Sequence, residues 1–139
     1  MTRLCALMLT GVLIVGCQGQ APQVALVPVQ GKLTVKGKPL THATVVFHPD
    51  PDRGNTSKLE PRAEITPESG GIYELESDDR AGAPPGWYRV TVYATKPASS
   101  TKRPEWLASQ KYTDARTSGL SWEVKEGEAG KAADFDLAP

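Results

Sequence analysis

Apolar and polar residues alternate in short runs along most of the chain after residue 28. The clearest runs are 29–35, 62–66 and 120–125, where every second residue is apolar. A period of two is typical of β-strands that have one face in a core and the other in solvent. We therefore predict seven strands, at 29–35, 43–47, 62–66, 72–76, 86–94, 120–125 and 133–137.

The segments between these runs are rich in turn-forming residues, as in Lys36-Gly37-Lys38-Pro39 and Glu68-Ser69-Gly70-Gly71. Only 104–112 could hold a helical turn. No amphipathic segment of 10–15 residues separates the strands, so parallel βαβ units are not expected. The pattern predicts an all-β sandwich.

The alternation also assigns each strand residue to a face. The predicted inward residues are Leu33, Val35, Val45, Phe47, Ala63, Ile65, Tyr73, Leu75, Tyr88, Val90, Val92, Leu120, Trp122, Val124, Phe135 and Leu137. The predicted outward residues are Lys32, Glu64, Glu74, Arg89, Glu123 and Lys125. A slip of one residue would bury those charges, so the pattern fixes the register.

The first 17 residues have the pattern of a bacterial lipoprotein leader. Arg3 supplies a positive charge, and 4–15 is almost wholly apolar but shorter than the roughly 20 residues that a membrane span needs. The segment ends Leu13-Ile14-Val15-Gly16-Cys17, which resembles a lipobox. The resemblance implies cleavage after Gly16 and diacylglyceryl attachment to the Cys17 thiol, with further acylation of the new amino terminus.

This reading divides the chain into a signal peptide (1–16), a lipidated tether (17–28) and one domain (29–139). Cys5 would leave with the leader, so the mature protein would hold one lipidated cysteine and no disulfide. Two or three acyl chains anchor a protein firmly to a bilayer. Gln18 is not the aspartate of inner-membrane retention signals, which favours the outer membrane. We expect an extracytoplasmic, lipid-anchored location.

Composition narrows the function classes. Lys+Arg and Asp+Glu are both 16 in 139 residues, so the net charge is zero and nothing builds the basic field that nucleic acid requires. The 12 prolines and 13 glycines suit short strands and many turns.

Several segments together resemble carboxypeptidase-regulatory-like, transthyretin-like domains. The matching motifs, in chain order, are "G-x-V-x-x-x-G-x-P-x-x-x-A-x-V-x-F" at 31–47, "G-x-Y-x-L" at 71–75 and "G-A-x-P-G-x-Y-x-V-x-V" at 82–92. Residues 111–112, 117–120 and 134–137 are similar to the tail of small lipoproteins of planctomycete-type bacteria.

The resemblance implies a seven-stranded Greek-key sandwich of the prealbumin type and an accessory or adhesive role. It also suggests that the shared glycines occupy turns with unusual φ. Tyr73 and Tyr88 would bury their rings while the hydroxyls reach a partner.

No metal site or cofactor is predicted. His42 and His48 flank one strand and would lie about 20 Å apart, too far to share an ion, so we interpret them as surface or loop histidines. Asp50, Asp52 and Asn55 form an oxygen-rich loop, read as a solvated acidic turn, with calcium as the alternative.

No catalytic motif is present in the sequence. It has no Gly-x-Ser-x-Gly elbow and no phosphate-binding loop. Hydroxyisourate hydrolases share the transthyretin fold but end in Tyr-Arg-Gly-Ser, whereas this chain ends Asp136-Leu137-Ala138-Pro139. A Lys–Asp isopeptide bond stays an open alternative, and Asn55 is the only asparagine.

Trp87, Tyr93 and Trp106 are the candidate ligand-binding residues, because exposed aromatic rings stack on sugars and fill partner pockets. The alternative is that the tryptophans cover the open ends of the sandwich. We predict a non-enzymatic, membrane-anchored structural or interaction module whose partners are the bilayer and an envelope protein or polysaccharide. A carbohydrate-binding module is the second hypothesis, and a hydroxyisourate-hydrolase-type enzyme the third.

Overall fold

The computed structural model describes residue 19, residues 22–98 and residues 103–139. The predicted signal peptide and Cys17 lie outside the described residues. The ten strands are β1 (Gln30–Val35), β2 (Lys38–Pro39), β3 (Ala43–Pro49), β4 (Arg62–Ile65), β5 (Ile72–Glu74), β6 (Glu76–Ser77), β7 (Arg80–Ala81), β8 (Gly86–Tyr93), β9 (Leu120–Val124) and β10 (Phe135–Leu137).

The strands form two sheets that do not close into a barrel. One sheet has the order β7-β6-β4-β3-β8-β9 and is antiparallel throughout. In the other, β1 pairs in parallel with β10 and antiparallel with β2 and β5. The prediction of an all-β, sandwich-like fold is confirmed, and no described helix is long and apolar enough to cross a membrane.

The core lies between the sheets and contains every residue that the alternation placed there. Most of the predicted inward residues are buried, and the remaining ones, which are Val35, Ala63, Leu120, Trp122 and Phe135, are partly buried against them. Small and loop residues that the pattern did not identify complete the core; they are Val29, Leu40, Ala43, Ala83, Ala94, Ala108, Tyr112 and Ala133. No buried side-chain polar atom in the described ranges lacks a hydrogen-bond partner.

The run 72–76, predicted as one strand, belongs to both sheets. Residues of β5 pair with β1, whereas β6 pairs with β4 and β7. Leu75 lies at the crossing, where its N–H donates to Val29 and its carbonyl accepts from Gly82. Because Leu75 is only 1% exposed, its side chain stays in the core while the backbone changes sheets.

Two segments predicted as turn or loop are tight hairpins. Lys36 (φ 49°) and Gly37 (φ 76°) connect β1 to β2, and Asp78 (φ 47°) and Asp79 (φ 60°) connect β6 to β7. Two successive residues with positive φ match the right-handed twist of the flanking strands. Pro39, expected to stop the ladder, lies within β2 opposite Thr34.

Helical turns are more frequent than the sequence indicated. The predicted turn at 104–112 is a 3-10 turn at Gln110–Thr113, and two more occur at Pro51–Arg53 and Pro67–Ser69. Both extra turns begin with proline, which has no amide hydrogen. The first position of a helical turn has no acceptor for that hydrogen, so proline is well tolerated there.

Backbone pairing with the sandwich begins at Val27, inside the segment 17–28 that was predicted as a tether. Val27 exchanges two backbone hydrogen bonds with Ala83 (2.8 and 2.9 Å), and the carbonyl of Val24 accepts one from Arg80 (3.3 Å). We call the region around this bridge the near end. Strand β8 starts there at Gly86 and rises over seven residue steps, about 23 Å, to Tyr93 at the far end.

Candidate functional site

The solvent side of the six-stranded sheet carries the outward residues of its three central strands, and we call it the outer face. It comprises Thr44, Val46 and His48 of β3, Arg62 and Glu64 of β4, and Trp87, Arg89, Thr91 and Tyr93 of β8. These residues alternate with core residues, so the same period-two pattern that builds the core places them together.

Tyr93 and Trp106, two of the three candidate ligand-binding residues, meet at the far end. Their ring centroids are 4.9 Å apart and the planes are inclined at 71°, an edge-to-face pair. Tyr93 remains 48% exposed, while Trp106 is half-buried.

The segment around Trp106 is fixed to the end of β8. Lys96 N–H donates to the Glu105 carbonyl (2.8 Å), and Leu107 N–H donates to the Ala94 carbonyl (2.9 Å). The Lys96 ammonium also forms an ion pair with the Glu105 carboxylate (2.6 Å). Trp106 is therefore positioned against Tyr93 by backbone pairing, which orders both rings before any ligand arrives.

A groove of about 270 Å³ runs over the outer face beside Tyr93. It is lined by His42, Ala43, Thr44, Glu64, Ile65, Tyr93 and Thr95. Thr44 lies between Tyr93 and Glu64 in the sheet, directly opposite both. The groove thus offers one aromatic surface together with hydroxyl, imidazole and carboxylate groups.

Trp87 does not join this site. It lies at the start of β8, six residues and about 20 Å from Tyr93. The Arg53 guanidinium stacks on its ring, 4.4 Å from the centroid. Trp87 is partly buried, and the Arg53 cation of the chain itself covers the ring surface that the sequence predicted to be open.

Of Asp50, Asp52 and Asn55 in the loop after β3, only Asp52 is solvated as the sequence indicated, with its side chain 77% exposed. Asp50 is buried, and its carboxylate accepts from Arg89 (3.1 Å) and from the Asp52 amide (3.2 Å). Hydrogen bonds from Arg89 to Asp52 and Asp50 raise the pKa of that guanidinium. Asn55 is also buried and donates to the Trp87 carbonyl (2.9 Å).

These oxygen atoms have partners within the chain, so they are structural groups. In the described ranges, no three histidine, cysteine or carboxylate side chains lie close enough together to hold a metal ion.

A relay of polar side chains on the outer face was not predicted. His48 Nδ1 lies 3.0 Å from Glu60 Oε1, and Nε2 lies 2.9 Å from Thr91 Oγ1. His48, interpreted as a surface or loop histidine, lies within β3 on the outer face, opposite Arg89, and its side chain is 33% exposed. His42 contacts only the adjacent Thr41 hydroxyl (3.2 Å) among the side chains described.

The even spacing of His48 from Thr44 and Val46 was the available signal for its outward position. The partners Glu60 and Thr91 could not be found from it, because they are 12 and 43 residues away. The order carboxylate, imidazole and hydroxyl is that of a general-base relay.

Comparison with known proteins found no match to a family model, a curated protein or a solved structure.

Proposed function

We propose that this chain is an extracytoplasmic lipoprotein, anchored through Cys17, whose β-sandwich is a non-enzymatic interaction module of the cell envelope. The observation that carries the proposal is the short connection between the lipobox-like cysteine and the folded domain. Only ten residue steps separate Cys17 from Val27, where backbone pairing begins. Fully extended, that link reaches about 35 Å, so the domain would stay close to the bilayer.

The position of the link also orients the domain. Since the chain joins at the near end, that end would be close to the membrane and the far end would point away from it. Tyr93, Trp106 and the groove would then face the space beyond the lipid surface. Because Gln18 is not an inner-membrane retention signal, we propose the outer membrane in preference to the inner. An acylated anchor with an outward-facing site suits a display function.

The finer fold proposal is a transthyretin-like Greek key. Two features support it. The last strand of the domain, β10, returns to lie beside the first, β1, and the seven longest strands coincide with the seven runs of the alternating pattern. A Greek key consists of antiparallel strands, so the parallel pair of β1 and β10 supports the long-range return of the chain and not the Greek-key connection itself.

Cys17→Ala should release the protein from membranes. Without the thiol no acyl chains can be attached, and two or more chains are needed for firm anchoring. The measurement is membrane fractionation together with intact mass, and the wild-type mass should include the acyl groups. Cys5→Ala is the matched control and should stay membrane-bound and acylated, because Cys5 lies in the predicted leader. Persistence of Cys17→Ala in the membrane pellet after a carbonate wash would contradict the anchor.

The non-enzymatic part of the proposal is tested at the relay of Glu60, His48 and Thr91. Thr91 is 8% exposed and lies inside β8, which is paired with β3 and, up to Val90, with β9. Backbone amides engaged in sheet pairing are not free to stabilise an oxyanion.

We expect no labelling of Thr91 by a fluorophosphonate probe, and identical ester hydrolysis by wild type and His48→Ala. A covalent adduct on Thr91 that disappears in His48→Ala would establish a nucleophile and overturn this part of the proposal. The readout is mass spectrometry of the labelled peptide.

A further inference from the structure

We propose that the groove beside Tyr93 binds a neutral saccharide, with the Tyr93 ring as the stacking surface and Trp106 as its positioning residue. The inference deepens the proposed function, since it names a ligand for the displayed far end, but the groove's chemistry does not depend on the lipid anchor. Trp87, covered by Arg53, takes no part in it.

The aromatic component has the features that sugar stacking requires. A pyranose ring packs its C–H face on an aromatic ring, so the aromatic surface must be both accessible and fixed. Tyr93 is 48% exposed, and Trp106 packs against it at 4.9 Å without lining the groove. The backbone pairing of Thr95 with Trp106 fixes this arrangement, and a preordered surface loses less entropy on binding.

The polar groups of the groove suit hydroxyl groups. Glu64 supplies carboxylate acceptors, and it forms no hydrogen bond or ion pair with the side chains described. Thr44 and Thr95 have hydroxyls that donate and accept, and His42 can offer Nε2, since Nδ1 is hydrogen-bonded to the Thr41 hydroxyl. The only acidic residue in the lining is Glu64, and the lining contains no lysine or arginine, which disfavours an anionic sugar.

The sheet architecture argues against an extended peptide as the ligand. A peptide commonly binds a sheet by adding a strand to a free edge. The groove lies over β4, β3 and β8, which are the interior strands of their sheet, since β6 and β9 flank them. Thr44 of β3 is paired on both sides beside the groove, whereas Glu64 and Tyr93 lie beyond the paired registers of β4 with β6 and of β8 with β9. A ligand that lies over the face of the sheet there must be recognised through side chains. The volume of about 270 Å³ is just below the ~300–1,000 Å³ of drug-sized pockets, which suits one small ring unit.

The test is a binding titration of the full chain in detergent micelles. The probes are neutral tetrasaccharides built from glucose, mannose or N-acetylglucosamine, with a tetrauronic acid as the anionic comparison. Binding is followed by tryptophan fluorescence and by calorimetry. We expect saturable binding of at least one neutral tetrasaccharide, weaker or absent binding of the uronic acid, and no binding of unstructured peptides.

Variants then locate the site. Tyr93→Ala should weaken binding about tenfold or more, because loss of one stacked ring typically removes a dominant contact. Tyr93→Phe retains the ring and should bind within about threefold of wild type, by the same reasoning. Glu64→Ala should also weaken binding. Trp87→Ala is the matched control and should bind as wild type, because Trp87 does not line the groove.

Each outcome decides something. No binding of any tetrasaccharide, or equal losses for Tyr93→Ala and Trp87→Ala, would overturn the proposal. Preferential binding of the uronic acid would overturn its neutral class. If Tyr93→Ala does not fold, Glu64→Ala and Thr44→Val provide the same test from the polar residues of the groove. The anchor is judged separately by the fractionation of Cys17→Ala, so failure of one proposal leaves the other standing.

Discussion

Gly31→Ala should be among the most destabilising single substitutions in this protein. A Cβ atom at Gly31 would lie 2.0 Å from the Ala133 carbonyl oxygen and 2.7 Å from the Tyr73 hydroxyl. Those two groups are hydrogen-bonded to each other (2.5 Å) in the buried seam where β1, β5 and the approach to β10 meet. An added methyl must therefore separate the strands or break that hydrogen bond.

The two costs combine. Overpacking a tight interior costs about 1–3 kcal/mol, and leaving a buried hydrogen-bonding group unpaired costs about another 1–3 kcal/mol. We expect a loss of about 2–6 kcal/mol in the free energy of unfolding, from a total that for domains of this kind is about 5–15 kcal/mol. Urea unfolding followed by circular dichroism measures it.

Gly119→Ala is the control. Gly119 has φ 68° and nothing within 4 Å of a built Cβ, so the substitution carries backbone strain without a steric clash. The left-handed conformation costs an L-residue about 1–2 kcal/mol. If Gly31→Ala loses no more stability than Gly119→Ala, the close approach of Ala133 is not what requires glycine at position 31.

The sequence could predict most of the core because successive side chains of a β-strand point to opposite faces, so buried residues recur at every second position. Strands such as β3 and β8 have one apolar side, so Val45, Phe47 and Val90 are identified by spacing alone. The same rule placed Glu64 and Arg89 on the outer face. Residues in loops have no periodic signal, which is why buried Ala108 and Tyr112 were not identified.

Features that depend on contacts between distant segments could not be read from spacing. Gly31 was expected to occupy a turn with unusual φ, yet it lies inside β1. Glycine is required there because the carbonyl of Ala133, 102 residues later, occupies the space that a Cβ atom would need. Leu75 continues an alternating run, so nothing local signals that the backbone changes sheets there.

The candidate site shows the same limit. Exposed aromatic residues could be named from the sequence, but their grouping could not. Tyr93 and Trp106 meet because Thr95 pairs with Trp106, whereas Trp87 is covered because a 3-10 turn brings Arg53 over it. Composition identified the residue types, and tertiary pairing decided which of them share a surface.

Stability should fall steeply above pH 10, and Tyr73 and Tyr88 should account for it. Burial raises the pKa of the Tyr73 hydroxyl far above its usual 10, with the negative charge of Asp134 adding to the effect. Burial also raises the pKa of Tyr88, whose hydroxyl donates to the Pro84 carbonyl (2.7 Å). Above pH 10 the unfolded chain releases these protons while the folded chain retains them. The folded state is then favoured less with each pH unit.

The expected slope follows from linkage. Between its unfolded and folded pKa, the Tyr73 hydroxyl contributes a loss that approaches about 1.4 kcal/mol per pH unit, and Tyr88 adds to that loss. Below pH 10 their contribution is fully present. Urea unfolding at pH 8, 10 and 11 measures the change.

Tyr73→Phe separates this effect from general alkaline damage. At pH 8 the variant should lose about 1–3 kcal/mol, because the Ala133 carbonyl loses its buried donor. Between pH 10 and 11, however, its stability should fall less steeply than that of wild type, since the buried Tyr73 hydroxyl is gone. Tyr93→Phe removes a hydroxyl from a tyrosine that is 48% exposed and serves as the matched control. Parallel curves for wild type and Tyr73→Phe above pH 10 would show that the buried Tyr73 proton does not couple to folding.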